Sequence, residues 1–146
     1  MQINKTLIAG LAVSGLVLSA NVLAGDTVEI KALQTKFEPA VVFVKPGDTV
    51  RFSAMVGHDS VTLDGMIPEG AKGWKSAMGE DLAVTLDKEG VYVYKCSPHT
   101  ALGMNGAVVV GEPTNLEQIH SHPENKSMIG RTIRQLDEEI KARGGE

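Results

Sequence analysis

The chain has 146 residues, with 14 lysines and arginines against 18 acids and a single cysteine. A formal charge of −4 offers no basic footprint for nucleic acid, and one cysteine excludes a disulfide-stapled scaffold. With 42% hydrophobic and 22% charged residues, the composition is that of an ordinary soluble globule rather than a fibrous or disordered chain.

At the N-terminus, Lys5 precedes an apolar run from Leu7 to Leu18. Ser19-Ala20-Asn21-Val22-Leu23-Ala24 follows, with small residues at the two positions a signal peptidase inspects. Residues 1–24 therefore read as a signal peptide cleaved after Ala24. The run is broken by Gly10, Ser14 and Gly15 and falls short of the roughly 20 apolar residues a membrane span needs, so no membrane insertion is expected after cleavage. The leader carries only Lys5, so the mature chain keeps 13 basic and 18 acidic residues, a balance of −5. Export also leads to an oxidising compartment, where an exposed lone thiol invites mispairing or over-oxidation. Cys96 needs a purpose.

Residues 25–112 show short β-branched and aromatic runs separated by turn residues, which predicts an all-β sandwich or barrel. Thr27 to Leu33 alternates with period two, and a run from Phe37 to Val44 follows. Pro46-Gly47-Asp48 turns the chain into Thr49–Ser53. Val61-Thr62-Leu63 is another short strand. Residues 65–81 read as a long crossover loop in which Trp74 packs. Leu82–Leu86 and Val91–Lys95 flank Asp87-Lys88-Glu89-Gly90, a hairpin signal, and Gly106–Gly111 closes the series. Residues 113–146 read as a helical extension of the same domain. A short helix runs from a Thr114 cap to Ser121, and a second carries Ile129, Ile133, Leu136 and Ile140 on one face that needs a surface to cover.

The stretch from Cys96 to Met104 places a thiol, the His99 imidazole and a thioether within nine residues, where Gly103 and Gly106 are expected to let the loop curl. His58 is the only other histidine of the β region. Two imidazoles and a thiolate with a weak methionine contact form the ligand set that holds copper for one-electron transfer. Met104 is selected by spacing; Met55, Met66, Met78 and Met128 read as core filler. His120 and His122 read as a solvated surface pair, able at most to take adventitious metal.

From Gly25 to about Gly111, and more loosely to the C-terminus, the chain resembles the pseudoazurins, periplasmic blue copper proteins of the cupredoxin class. The ligand loop, Met66-Ile67-Pro68-Glu69-Gly70-Ala71, Phe37-Glu38-Pro39-Ala40, Pro46-Gly47-Asp48-Thr49-Val50 and the two trailing helices correspond in order. This resemblance implies an eight-stranded Greek-key sandwich with two C-terminal helices packed on it. It also implies one type 1 copper per chain on His58, Cys96, His99 and Met104. The implied role is a periplasmic electron carrier serving a denitrification reductase such as nitrite reductase; with all four ligand positions filled by the protein no vacancy is left for a substrate, so no enzyme is expected, and nothing in the sequence demands more than a monomer. In the family, lysines ring an apolar patch over the exposed copper histidine. Lys72, Lys75, Lys95, Ala101 and Leu102 stand in comparable places, so transient and weakly lysine-steered contact with periplasmic redox proteins near His99 is expected.

Asp59 departs from the pattern, since the family has asparagine directly after the first copper histidine. Its carboxylate is expected to accept from the Ser97 hydroxyl or amide and to favour the more positive metal state. Beside the electron carrier stand a copper carrier or storage protein and a cysteine hydrolase built on Cys96 with His58 or His99 as base. Zinc is a weaker fit because thioether is a poor ligand for it.

Overall fold

A computed structural model describes residues 24–144. The leader expected over 1–24 lies, apart from Ala24, outside these residues. Eight strands run β1 Thr27–Leu33, β2 Lys36–Glu38, β3 Val41–Val44, β4 Asp48–Ser53, β5 Val61–Thr62, β6 Leu82–Leu86, β7 Gly90–Lys95 and β8 Asn105–Val110. Two α-helices follow, α1 Leu116–Ser121 and α2 Ile129–Ala142. The strands form two four-stranded sheets ordered β2-β1-β4-β6 and β3-β8-β7-β5. β1 pairs parallel with β4 and β3 parallel with β8, while the other pairs are antiparallel.

The Lys45–Asp48 turn shows how local sequence sets this path. Gly47 takes φ 91°, and the buried Asp48 carboxylate accepts the Asp26 amide at 2.9 Å and the Lys45 amide at 2.7 Å. One side chain thus fixes the turn and seats the start of β1 beside β4.

Apolar side chains collect in two layers. Ile30, Phe37, Val50, Phe52, Trp74, Tyr92, Tyr94 and Val108 fill the space between the sheets. Val91, Val93, Ala107 and Val109 project from the other side of the second sheet onto Ile119, Ile129, Ile133, Leu136 and Ile140. The helical face predicted from its spacing therefore covers β7 and β8, and nearly every residue of those two strands is buried.

Two local expectations change. Phe37 to Val44 is not one strand: it divides at Pro39-Ala40, and its halves join different sheets. Pro39 has no amide to donate to a ladder, and the next carbonyl, of Ala40, accepts from Ala107 at 2.9 Å and so begins the second sheet. The first helix starts at Leu116 and not from a Thr114 cap. Asn115 there clamps the edge of β7, accepting from the Val91 amide at 2.7 Å and donating to its carbonyl at 2.9 Å, while the Thr114 hydroxyl donates to Glu89.

Candidate metal centre

Three segments meet at one end of the sandwich. The first leaves β4 through Ala54 and Gly57, both at positive φ, and turns so that the His58 amide donates to the Met55 carbonyl at 2.8 Å. Behind it the crossover loop is pinned by Gly79 to the His58 carbonyl at 2.8 Å, by Ser76 to the Ser60 amide at 2.9 Å and by the Trp74 indole to the Ser60 hydroxyl at 2.9 Å. Trp74 packs as expected, and it also holds the His58 segment.

The third segment is the loop between β7 and β8. The Cys96 amide donates to the Met104 carbonyl at 2.9 Å, and the Met104 amide donates to the His99 carbonyl at 3.2 Å. The His99 amide in turn donates to the Cys96 carbonyl at 3.2 Å. The backbone of this nine-residue loop therefore fixes all three candidate residues relative to one another. Gly103, at φ 92°, supplies its curl, and Met128 from the C-terminal region lies against it. Gly106 does not curl the loop: it is a regular β8 residue paired with Tyr94, and its lack of a side chain serves the Tyr94 ring.

His58, Cys96 and His99 are the one cluster among the described residues whose ligand atoms converge as a metal site requires. Cys96 Sγ lies 3.7 Å from His58 Nδ1 and 3.5 Å from His99 Nδ1, and the two nitrogens are 3.2 Å apart. The point equidistant from these atoms lies about 2.0 Å from each, the length of a bond from a small transition-metal ion to imidazole. Met104 is fully buried in the same core layer as Cys96. Two borderline nitrogens, one thiolate and a nearby thioether fit copper and suit neither magnesium nor calcium, which take oxygen.

Electrostatics suit a metal more than a free nucleophile. Burial pushes the Cys96 thiol above its ordinary pKa; amides of Asp59 and His99 pull the other way, and the Asp59 carboxylate raises it further. Burial, reinforced by the charge of His99 and opposed by Asp59, lowers that of His58. A thiol whose ionisation is suppressed is a poor hydrolytic nucleophile and becomes a ligand only where a bound cation displaces its proton, whereas an imidazole kept neutral already has its nitrogen free to ligate.

The loops that build the site, one of them carrying the half-buried His99, present exposed apolar side chains. Val56 is 85% exposed, Leu102 62% and Met78 56%, and each belongs to a loop that builds the site. Met78 is thus not core filler, and Met128 is only half-buried, while Met55 and Met66 are fully enclosed. Val56 escaped the sequence reading, and Met78 reads there as core filler; each directly precedes a glycine held at positive φ, Gly57 and Gly79. Lys75 and Lys95 sit on either side of Val61 at the edge of the second sheet, with Lys72 exposed nearby. Among the described residues none of the three has an acidic partner within ion-pair distance. His120 pairs with Asp137 at 2.9 Å, and His122 accepts the Glu124 amide through Nδ1, so both stand apart from the centre.

The family model for copper binding proteins of the plastocyanin/azurin family matches residues 24–111. The pseudoazurin of Methylorubrum extorquens strain AM1 is 39% identical over 134 residues, spanning 86% of this chain and 90% of that one. The crystal structure of pseudoazurin from Methylobacterium extorquens AM1 superposes with a TM-score of 0.69 at 39% identity, covering 80% of this chain and 98% of that one. Native pseudoazurin from Hyphomicrobium denitrificans gives 0.66 at 31% identity over 80% and 97%. The chain belongs to the pseudoazurins, within the plastocyanin/azurin family of blue copper electron carriers. Copper is its cofactor.

Proposed function

We propose that this protein is a periplasmic one-electron carrier that holds a single copper ion on His58, Cys96, His99 and Met104 and supplies electrons to a denitrification reductase such as nitrite reductase. The observation that carries the ligand assignment is the convergence of Cys96 Sγ and the two imidazole Nδ1 atoms to between 3.2 and 3.7 Å of one another. When bound, copper supplies a reversible one-electron couple. The protein's own part is to keep the donors still. The hydrogen-bonded loop fixes Cys96, His99 and Met104 together, and the buried Ser60–Ser76–Trp74 network holds His58 to meet them. A rigid donor set needs little rearrangement when charge changes, which keeps the exchange barrier low. Because Cys96 and Met104 are wholly buried, the site favours retention of the ion over the hand-over that a copper carrier or storage protein needs.

Adding one equivalent of Cu(II) to the purified mature protein is expected to produce an intense visible band and a type 1 paramagnetic resonance spectrum. Repeated reduction and reoxidation should then leave the metal in place. Loss of copper on cycling would favour the storage reading, and the absence of any band would remove the copper-thiolate assignment. A periplasmic fraction whose chain begins at Gly25 by mass spectrometry is the matching check on location.

Exposed Val56, Met78, Ala101 and Leu102 on the loops that build the site, together with Lys72, Lys75 and Lys95, suit brief contact with an acidic partner surface. Three unpaired lysines on a net-acidic chain give weak steering. Stopped-flow rates with such a reductase are therefore expected to fall modestly as salt rises; rates that climb with salt would reverse the sign of the contact.

A further inference from the structure

The loop between β7 and β8 is closed at its neck by two side chains. Thr100, which follows His99, donates its hydroxyl to Asn105 Oδ1 at 2.6 Å, and Asn105 follows Met104 as the first residue of β8. Asn105 is buried, whereas Ala101 and Leu102 between the pair are exposed. Asparagine is a costly residue at this place. It disfavours strands, and its Nδ2 is buried with no hydrogen-bond partner among the described residues. The rest of the strand shows what packing alone would select, since Ala107, Val108, Val109 and Val110 are all buried and apolar. Only the bond to Thr100 sets asparagine apart from valine there.

We propose that Thr100 and Asn105 are a positioning pair, whose bond closes the neck of the loop and holds His99 in its ligating place before any ion arrives. The role toward the ion rests on the ligand set proposed above; the closure itself belongs to the metal-free chain. Inside the neck the backbone bonds are all short-range: the Leu102 and Met104 amides donate to the His99 carbonyl at 2.9 and 3.2 Å, and the Gly103 amide donates to the Thr100 carbonyl at 2.9 Å. No residue of the short turn Thr100–Leu102 is buried, so burial does not anchor it. The hydroxyl of Thr100 instead ties the neighbour of His99 to a strand that is buried along its whole length. A histidine on an untethered turn would have to be ordered when the ion binds, and that ordering would weaken retention.

Thr100→Val removes the hydroxyl and keeps the shape. In the metal-free protein, hydrogen exchange of the Leu102, Gly103 and Met104 amides is expected to quicken about fivefold, the factor that one net hydrogen bond confers, while the β7 amides keep the parent's rates. Thr100→Ser, which keeps a hydroxyl, should exchange as the parent does. The double variant Thr100→Val/Asn105→Val removes both partners and the orphaned donor together, so it should resist urea at least as well as the parent and yet exchange in the loop as fast as Thr100→Val. In the copper-loaded protein, Thr100→Val should displace the visible band and give up its copper to a chelator faster, and Thr100→Ser should do neither. Loop amides that exchange at the parent's rate in Thr100→Val overturn the closure, as does a Thr100→Ser variant that fails to restore them. A double variant less stable than the parent overturns the reading of Asn105 as a residue held for position at a cost in stability. Faster loop exchange with an unmoved band and unchanged copper release overturns the positioning of His99. A parent that stays colourless with Cu(II) strikes the ligand assignment itself, and the metal-free exchange rates still judge the neck.

Discussion

Cys96→Ser is expected to abolish the visible colour of the copper-loaded protein while leaving the sandwich folded. The sulfur stands at one corner of the donor triangle, fully buried, and the colour of such centres arises from charge transfer between sulfur and copper. A serine hydroxyl is harder, shorter and far less acidic, so it offers neither the donor orbital nor the covalency. The loop should survive, because the bonds that shape it run between the backbones of Cys96, His99 and Met104. Placing a hydroxyl in this apolar corner costs about 1–3 kcal/mol, which urea denaturation of the metal-free variant measures. The visible spectrum decides the matter: a variant that stays intensely coloured would mean that another group supplies the transition, and the assignment of Cys96 would fail.

Gly106→Ala should produce the largest loss of stability from the smallest chemical change. A Cβ there would sit inside the van der Waals shell of Tyr94 Oη and Cζ, and 2.7 Å from the Ala40 carbonyl oxygen. Neither neighbour can retreat. Tyr94 is fully buried with its ring centroid 5.0 Å from both Phe37 and Phe52, and the Ala40 carbonyl is committed to the Ala107 amide. Overpacking of this kind costs about 3 kcal/mol, at the upper end of the usual range. That is a large fraction of the roughly 5–15 kcal/mol that holds a domain together. Chemical denaturation gives the number directly, and a loss below about 1 kcal/mol would show that the Tyr94 ring can move aside. Because Gly106 follows Met104 by two residues, weaker copper retention should accompany the loss.

The ligand loop was readable because its chemistry is local. Cys96, His99 and Met104 lie within nine residues, and the backbone bonds that aim them are made inside that interval. The face of α2 was readable for the same reason, its spacing being a property of one helix. What stayed hidden depends on partners distant in sequence. The division at Pro39-Ala40 is settled by Ala107, and Asn115 spends its side chain on β7 where its position suggests a cap. The need for glycine at 106 comes from a tyrosine on the neighbouring strand, and the exposure of Met78 from a loop path that no periodicity encodes. His58 stands between these cases. Elimination could nominate it, but only the network through Ser60, Ser76 and Trp74 explains why it arrives within 3.7 Å of Cys96.

β7 and β8 are covered on both sides, by the first sheet and by the helices, and the loop between them carries three of the four proposed ligands. Amides in such doubly sheltered strands open only with the whole domain, whereas singly covered edges fray independently. Escape of the ion by way of this hairpin therefore has no shortcut through partial unravelling. Fraying of these strands contributes little to loss of a bound ion, a safeguard that a donor set hung from an edge strand would lack.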